Sequence, residues 1–164
     1  MSFATSLTVS TPTDLEIVVE RIFDAPVDLV FDCYTTPDLV RRWLTGAEGW
    51  SLATCEIDLR AGGVYRYVWS GPDGASMGMT GTFHEVQPPS RLMSTETFDD
   101  DFGMGKMLVT IAFHPDGDRT SMHQTILFES KAQRDSAVET GMAEGMGISF
   151  MALDKLLADL TSPL

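Results

Sequence analysis

Asparagine is absent from this 164-residue sequence, so it offers no N-glycosylation acceptor. Cysteine is nearly absent: Cys33 and Cys55 are too few to build a disulfide scaffold. Cys33 falls in an apolar helical stretch and Cys55 in a strand, the setting of buried free thiols in a reducing compartment. The sequence leaves a disulfide between them open. Histidine occurs only at His84, His114 and His123, and no two share the spacing of a metal pair on one element, so no metal site is expected. No apolar run reaches about 18 residues, which excludes a membrane-spanning helix. Basic residues are also scarce, 11 against 24 acidic ones, for a formal charge of -13. Such a field repels phosphate backbones and anionic lipid surfaces, so nucleic acid is not an expected partner. Met1 to Thr13 has neither a basic start nor an apolar core; it reads as a frayed Ser/Thr-rich arm rather than a signal peptide. A cytoplasmic protein is the consistent reading.

What is present suits one globular domain, residues 14–162, with 43% apolar residues and no internal repeat or linker. Its organising stretch is Ser130 to Leu160. Met142, Met146, Phe150, Leu153, Leu157 and Leu160 recur there in steps of three and four, one side of a helix, with Ser149 and Leu156 on the flanks. Ser130 followed by Gln133 reads as a capping box. Gly141, Gly145 and Gly147 interrupt the pattern at a cost of roughly 1 kcal/mol each relative to Ala. Three such positions imply a bend or a close approach by another element.

Ahead of that stretch, Glu16 to Phe23 alternates as a first strand. Pro26 opens one short helix ending near Tyr34, and Thr36-Pro37 opens a second that reaches Trp43. Ala53–Leu59, Val64–Trp69, Met77–Val86, Arg91–Phe98, Lys106–Phe113 and Arg119–Phe128 then follow as strands separated by Gly, Pro and Asp turns, the pattern of an antiparallel meander. Alternate side chains share a face, and Arg66 places Tyr65, Tyr67 and Trp69 inward on their strand. Met79, Gly81 and Phe83, then Val109, Ile111 and Phe113, then Met122, Gln124 and Ile126 follow by the same parity. A bulge would invert any of these assignments. His84 and His123 have outward parity, and His114 borders a turn.

Arg21-x-Phe23-x-Ala25-Pro26 with Val30-Phe31, Pro37 and Trp43 resembles the opening of the activator-of-Hsp90-ATPase-homologue-1-like family of the START-like, or Bet v 1-like, superfamily. Asp58-Leu-Arg-x-Gly62-Gly63-x-Tyr65-Arg66, Gly71-Pro-Asp-Gly74, Gly81-x-Phe83-x-Glu85-Val86-x-Pro88-Pro89-x-Arg91-Leu92 and Gly141-Met142-x-x-Gly145 continue the resemblance. It runs from about Glu16 to Leu160. It implies an α+β helix-grip fold: a curved antiparallel sheet of about six or seven strands gripping a long C-terminal helix, with two short helices after the first strand. It further implies a cavity between sheet and helix. Where relatives often carry Trp after the second helix glycine, this chain has Met146, which makes the pocket more pliable.

The expected cavity lining is Trp43, Tyr65, Tyr67, Trp69, Met79, Phe83, Met107, Val109, Met122, Gln124, Met142, Met146 and Phe150. Thioethers and aromatic faces suit a small apolar, lipid-like or aromatic ligand, with Gln124, Tyr65 or Tyr67 orienting it; the plain alternative is that these residues fill a core. No cofactor is implied. Binding of an apolar ligand is the favoured function. The alternatives are an enzyme of the polyketide cyclase type, for which Glu96 supplies a carboxylate if its parity is inward, and a chaperone partner or ATPase activator by family analogy. A homodimer also stays open. Gly74-Ala-Ser76-Met-Gly78 matches a hydrolase G-x-S-x-G, but it sits between two strands rather than at a strand-to-helix elbow, so the match reads as coincidence. Asp99 to Asp101 reads as a solvated loop, and its continuation Phe102-Gly-Met-Gly105 as a candidate lid.

Overall fold

Turn residues cut the alternating segments into strands much as their spacing predicts, and one antiparallel sheet collects them all. The computed structural model describes residues 7–100 and 102–162. In chain order it holds β1 (Thr8–Ser10), β2 (Glu16–Phe23), α1 (Val27–Thr35), α2 (Pro37–Trp43), β3 (Ser51–Ile57) and β4 (Val64–Ser70). These are followed by β5 (Ser76–Gln87), β6 (Arg91–Phe98), β7 (Met107–Asp116), β8 (Arg119–Leu127), α3 (Lys131–Glu139) and α4 (Met142–Thr161). The sheet has 8 strands in the order β1-β2-β8-β7-β6-β5-β4-β3. A meander from β3 to β8 thus turns back onto β2, and α4 lies across the concave side: the helix-grip arrangement. The extra strand comes from the expected N-terminal arm, where Thr8 to Ser10 pair with Glu20 to Val18. Residues 1–6 of that arm lie outside the described residues.

Two bulges set the curvature. Ala53 is an extra residue on β3 opposite β4, and His84 is extra on β5 opposite β6. Each bends its strand and shifts the parity beyond it. Leu52 and Cys55 are therefore both buried although three residues apart, and Phe83 is followed inward by Val86 rather than Glu85.

The stretch expected to form one helix from Ser130 to Leu160 is two. Its start follows the sequence: the Ser130 hydroxyl accepts from the Gln133 N–H at 3.2 Å, half of the anticipated capping box. The break comes at Gly141, whose φ of +78° is left-handed and favours glycine. The Thr140 hydroxyl donates to the Ala137 carbonyl at 2.6 Å, closing α3. The Gly141 carbonyl then accepts from the Glu144 and Gly145 N–H groups and opens α4. Phe150, Leu153, Leu156 and Leu157 are buried, as is Ser149, whereas Leu160 is 41% exposed and leaves the predicted face.

Arg21 on β2 fastens α4 to the sheet. It is 2% exposed and holds Asp154 through two bonds of 2.7 and 2.6 Å, while its guanidinium lies over the rings of Phe23 and Phe150. A planar fork matched to a carboxylate fixes orientation as well as distance. At the helical end, the Trp43 Nε1–H donates to the Cys33 carbonyl at 2.7 Å and the Trp69 Nε1–H to the Leu44 carbonyl at 2.9 Å. These bonds tie α2 to α1 and to β4. Cys33 and Cys55 are both free and buried, with burial pushing each thiol up to about 11.

Candidate functional site

The sheet's inner face is ordered in cross-strand rows. One row runs Ile126, Val109, Ser94 and Phe83; the next runs Met107, Glu96, Gly81 and Tyr65; a third runs Phe98, Met79, Tyr67 and Cys55. Almost every side chain here is apolar. The middle row carries the one carboxylate, Glu96, which stands between Met107 and Gly81.

Glu96 points inward because Leu92 and Ser94, four and two residues earlier on the same strand, are buried. Among the described residues it is the only inward-facing carboxylate of the sheet. The Tyr65 hydroxyl donates to Glu96 Oε2 at 2.5 Å. That uses the hydroxyl's single proton, so the Ser94 hydroxyl, 2.7 Å away, donates to the Tyr65 oxygen. Tyr65 reaches across the sheet only because position 81 is glycine. A Cβ at Gly81 would lie 2.0 Å from Cζ of the Tyr65 ring. Burial holds the Glu96 carboxyl above the ordinary carboxylate range, with the Tyr65 hydrogen bond pulling the other way. Burial, then the neighbouring Glu96, raises the Tyr65 hydroxyl well above its usual value, so it remains a donor.

Aromatic rings wall this group. Tyr65 lies 4.7 Å from Phe83 and 5.2 Å from Tyr67, and Tyr67 lies 5.8 Å from Trp69. Of the predicted lining, Tyr65, Tyr67, Trp69, Met79 and Phe83 therefore meet on β4 and β5, with Met107, Val109 and Met122 on the same inner face of β7 and β8. All of these are buried. Trp43 and Phe150 form a separate stack at 6.3 Å between α2 and α4. Gln124, Met142 and Met146 are only half-buried.

Residues 24–158 match the activator of Hsp90 ATPase homolog 1-like protein family. The chain belongs to that family. A Rhodobacter sphaeroides protein of known structure is 28% identical to it, with a TM-score of 0.89 over 94% of this chain and 99% of its own. A Nitrosomonas europaea protein is 27% identical, with a TM-score of 0.80 over 93% of this chain and 100% of its own. One from Arthrobacter aurescens is also 27% identical, with a TM-score of 0.83 and coverage of 94% and 92%. No curated protein matches.

Two further polar atoms stand out in this member of the family. Arg21 Nε and the Tyr34 hydroxyl are buried without a hydrogen-bond partner among the described residues. The Tyr34 ring packs 5.0 Å from Phe113 and 4.8 Å from Trp43. Sequence reasoning misses both, since an arginine and a tyrosine in amphipathic stretches carry no sign that one of their polar atoms will lack a partner. Two surface hollows lie elsewhere. One of about 430 Å³ is bounded by α1, Leu59 and Pro88-Pro89, and one of about 220 Å³ by β1, Ile17, Val138, Met142 and Ala143. Met142 is the only predicted lining residue on either.

The remaining motifs fall on the surface. His84, His114 and His123 are exposed, and no cluster of metal-ligating side chains occurs among the described residues. Ser76 is exposed at the start of β5, after a single 3₁₀ turn, with no nucleophile elbow. Asp99 pairs with Arg66 through two bonds of 2.6 Å, and Asp101 lies outside the described residues. In the expected lid, Met104 is 4% exposed and anchors the loop to the core, whereas Phe102 is 46% exposed and meets only the edge of half-buried Phe98 at 5.7 Å. Among the described residues, no helix is long and apolar enough to cross a membrane.

Proposed function

We propose that the protein binds a small, mainly apolar molecule against the inner face of β4 to β7, beneath the first turns of α4. The observation that carries this reading is the aromatic and methionine face with a single hydrogen-bonded carboxyl set into it, the composition of a pocket that orients an apolar ligand by a few polar groups. Accessibility supports it. Gln124, Ile111 and Glu96 face inward yet keep accessible surface, as does Met146 on α4, whereas Met142 opens on the hollow beside β1. Flexible thioethers on the helix give the site room to adapt.

A second reading is acid–base chemistry on the bound molecule. It is favoured by the same carboxyl, since proton transfer near neutral pH calls for a Glu raised by burial and held in place. ATPase activation rests on the family's name alone and ranks below both.

Native mass spectrometry of gently purified protein, followed by a denaturing run, tests the binding reading. A stoichiometric apolar compound released on denaturation is the expected result. A clean mass both from cells and after incubation with a panel of apolar compounds would overturn it.

A further inference from the structure

Among the described residues, Glu96 is a carboxylate without a counter-ion. Its one hydrogen bond to them comes from a neutral hydroxyl, that of Tyr65, and none of their cations forms an ion pair with it. The buried arginines are engaged elsewhere: Arg21 with Asp154, and Arg134 with Asp135 and the Thr13 carbonyl. A carboxylate set among apolar side chains gains from a cationic partner, and Glu96 keeps accessible surface through which a partner from outside the described residues reaches it. Glu96 Oε2 is taken by Tyr65, while Oε1 accepts no bond from the described residues.

The surroundings favour positive charge. The Tyr65, Tyr67, Phe83 and Trp69 rings cluster on the same part of the sheet, and aromatic rings attract cations. The chain's net charge of -13 draws cations towards it and repels anions. Beyond the carboxyl, the inner face offers Met107, Val109, Met79 and Phe98, which suit an apolar body rather than a hydrated one.

From this arrangement we infer that the ligand is a hydrophobic amine, its ammonium group seated on Glu96 Oε1 and its apolar body on the aromatic and methionine face. The inference rests on the binding reading above and specifies the class of molecule.

A size-matched series decides it by isothermal titration calorimetry at pH 7: 4-phenylbutylamine, 4-phenylbutanol and 4-phenylbutyrate. The expected order is amine, alcohol, carboxylate, with the amine ahead of the alcohol by at least about tenfold in Kd. In Glu96→Gln the amine-to-alcohol ratio falls to within about twofold, because the amide keeps the shape and the Tyr65 bond but not the charge. Using a ratio cancels general attraction of amines to the acidic surface. If the alcohol binds as tightly as the amine, or if the preference survives in Glu96→Gln, this inference fails and the binding reading stands. If none of the three binds at millimolar concentration, this inference fails, and the native mass spectrum decides the binding reading separately. Should the variant not fold, the wild-type amine-to-alcohol ratio is read again at about 0.5 M NaCl, where general attraction to the acidic surface is screened, and a fall to within about twofold overturns the inference.

Discussion

Glu96 shows how one residue's surroundings reverse its usual contribution to stability. A surface carboxylate ionises at little cost, but this one is held above its ordinary range by burial, and the Tyr65 bond offsets that only in part. The native state therefore binds more protons than the unfolded chain at pH values between the unfolded and the raised folded pKa. Stability falls as pH rises through that window and is level above it. Replacing Glu96 by Gln removes the ionisation while leaving an acceptor for Tyr65. Urea denaturation at pH 4 and pH 7 should show Glu96→Gln gaining on wild type at the higher pH, and an equal difference at both would contradict a raised Glu96. This site was only half legible in the sequence. The parity of Tyr65, Tyr67 and Trp69 followed from Arg66, but on β6 Leu92 and Phe98 compete with Met93 for the inner side, leaving Glu96 conditional. Gly81 falls inward by parity alone, and the reason for a glycine there, room for the Tyr65 ring, is a contact across strands that the sequence does not show.

Among the elements, α4 and its glycines carry the clearest test. The sequence showed that Gly141, Gly145 and Gly147 needed an explanation, but not which of them broke the helix, since periodicity continues through all three. Only Gly141 of the three has a left-handed backbone; at Gly145, which is helical, an added Cβ would meet nothing within 4 Å, and at Gly147 it would meet only Leu7 at 3.6 Å. Gly145→Ala should therefore raise the thermal midpoint, through about 0.5–1 kcal/mol of recovered helix propensity. Gly141→Ala should lower it, through a loss of about 1 kcal/mol of stability from backbone strain with no clash. Calorimetry on the two single variants checks both signs, and a loss at Gly145 would mean that something packs there in solution. The bulges at Ala53 and His84 were similarly out of reach. An extra residue in one strand is defined by its partner's register, which no single segment contains.

At the scale of the whole molecule, the order of strands and helices was legible because turn chemistry and period are local, and the grip followed from the family resemblance. The eighth strand was not, because Thr8 to Ser10 are exposed and form a strand only through pairing with β2. Charge was legible from composition alone, and the structure gives it a consequence. The cations are largely paired already: Arg41 with Asp38, Arg60 with Asp58, Arg66 with Asp99, Arg91 with Glu85, Arg119 with Asp116 and Lys131 with Asp135. With 24 acidic residues to 11 basic ones, the surface charge left over is mostly negative. Salt acts on both populations in opposite directions. It weakens exposed pairs, each worth about 0–1 kcal/mol, and it screens the repulsion of an excess spread over the whole surface. The excess extends over more groups than the pairs do, and several of those pairs are largely exposed. Repulsion therefore dominates, and Tm should rise by a few degrees as NaCl goes from about 10 mM to about 150 mM, where the screening length shortens from about 30 Å to about 8 Å. Differential scanning calorimetry at fixed pH makes the comparison, and a fall in Tm over that range would mean that the surface pairs outweigh the net charge.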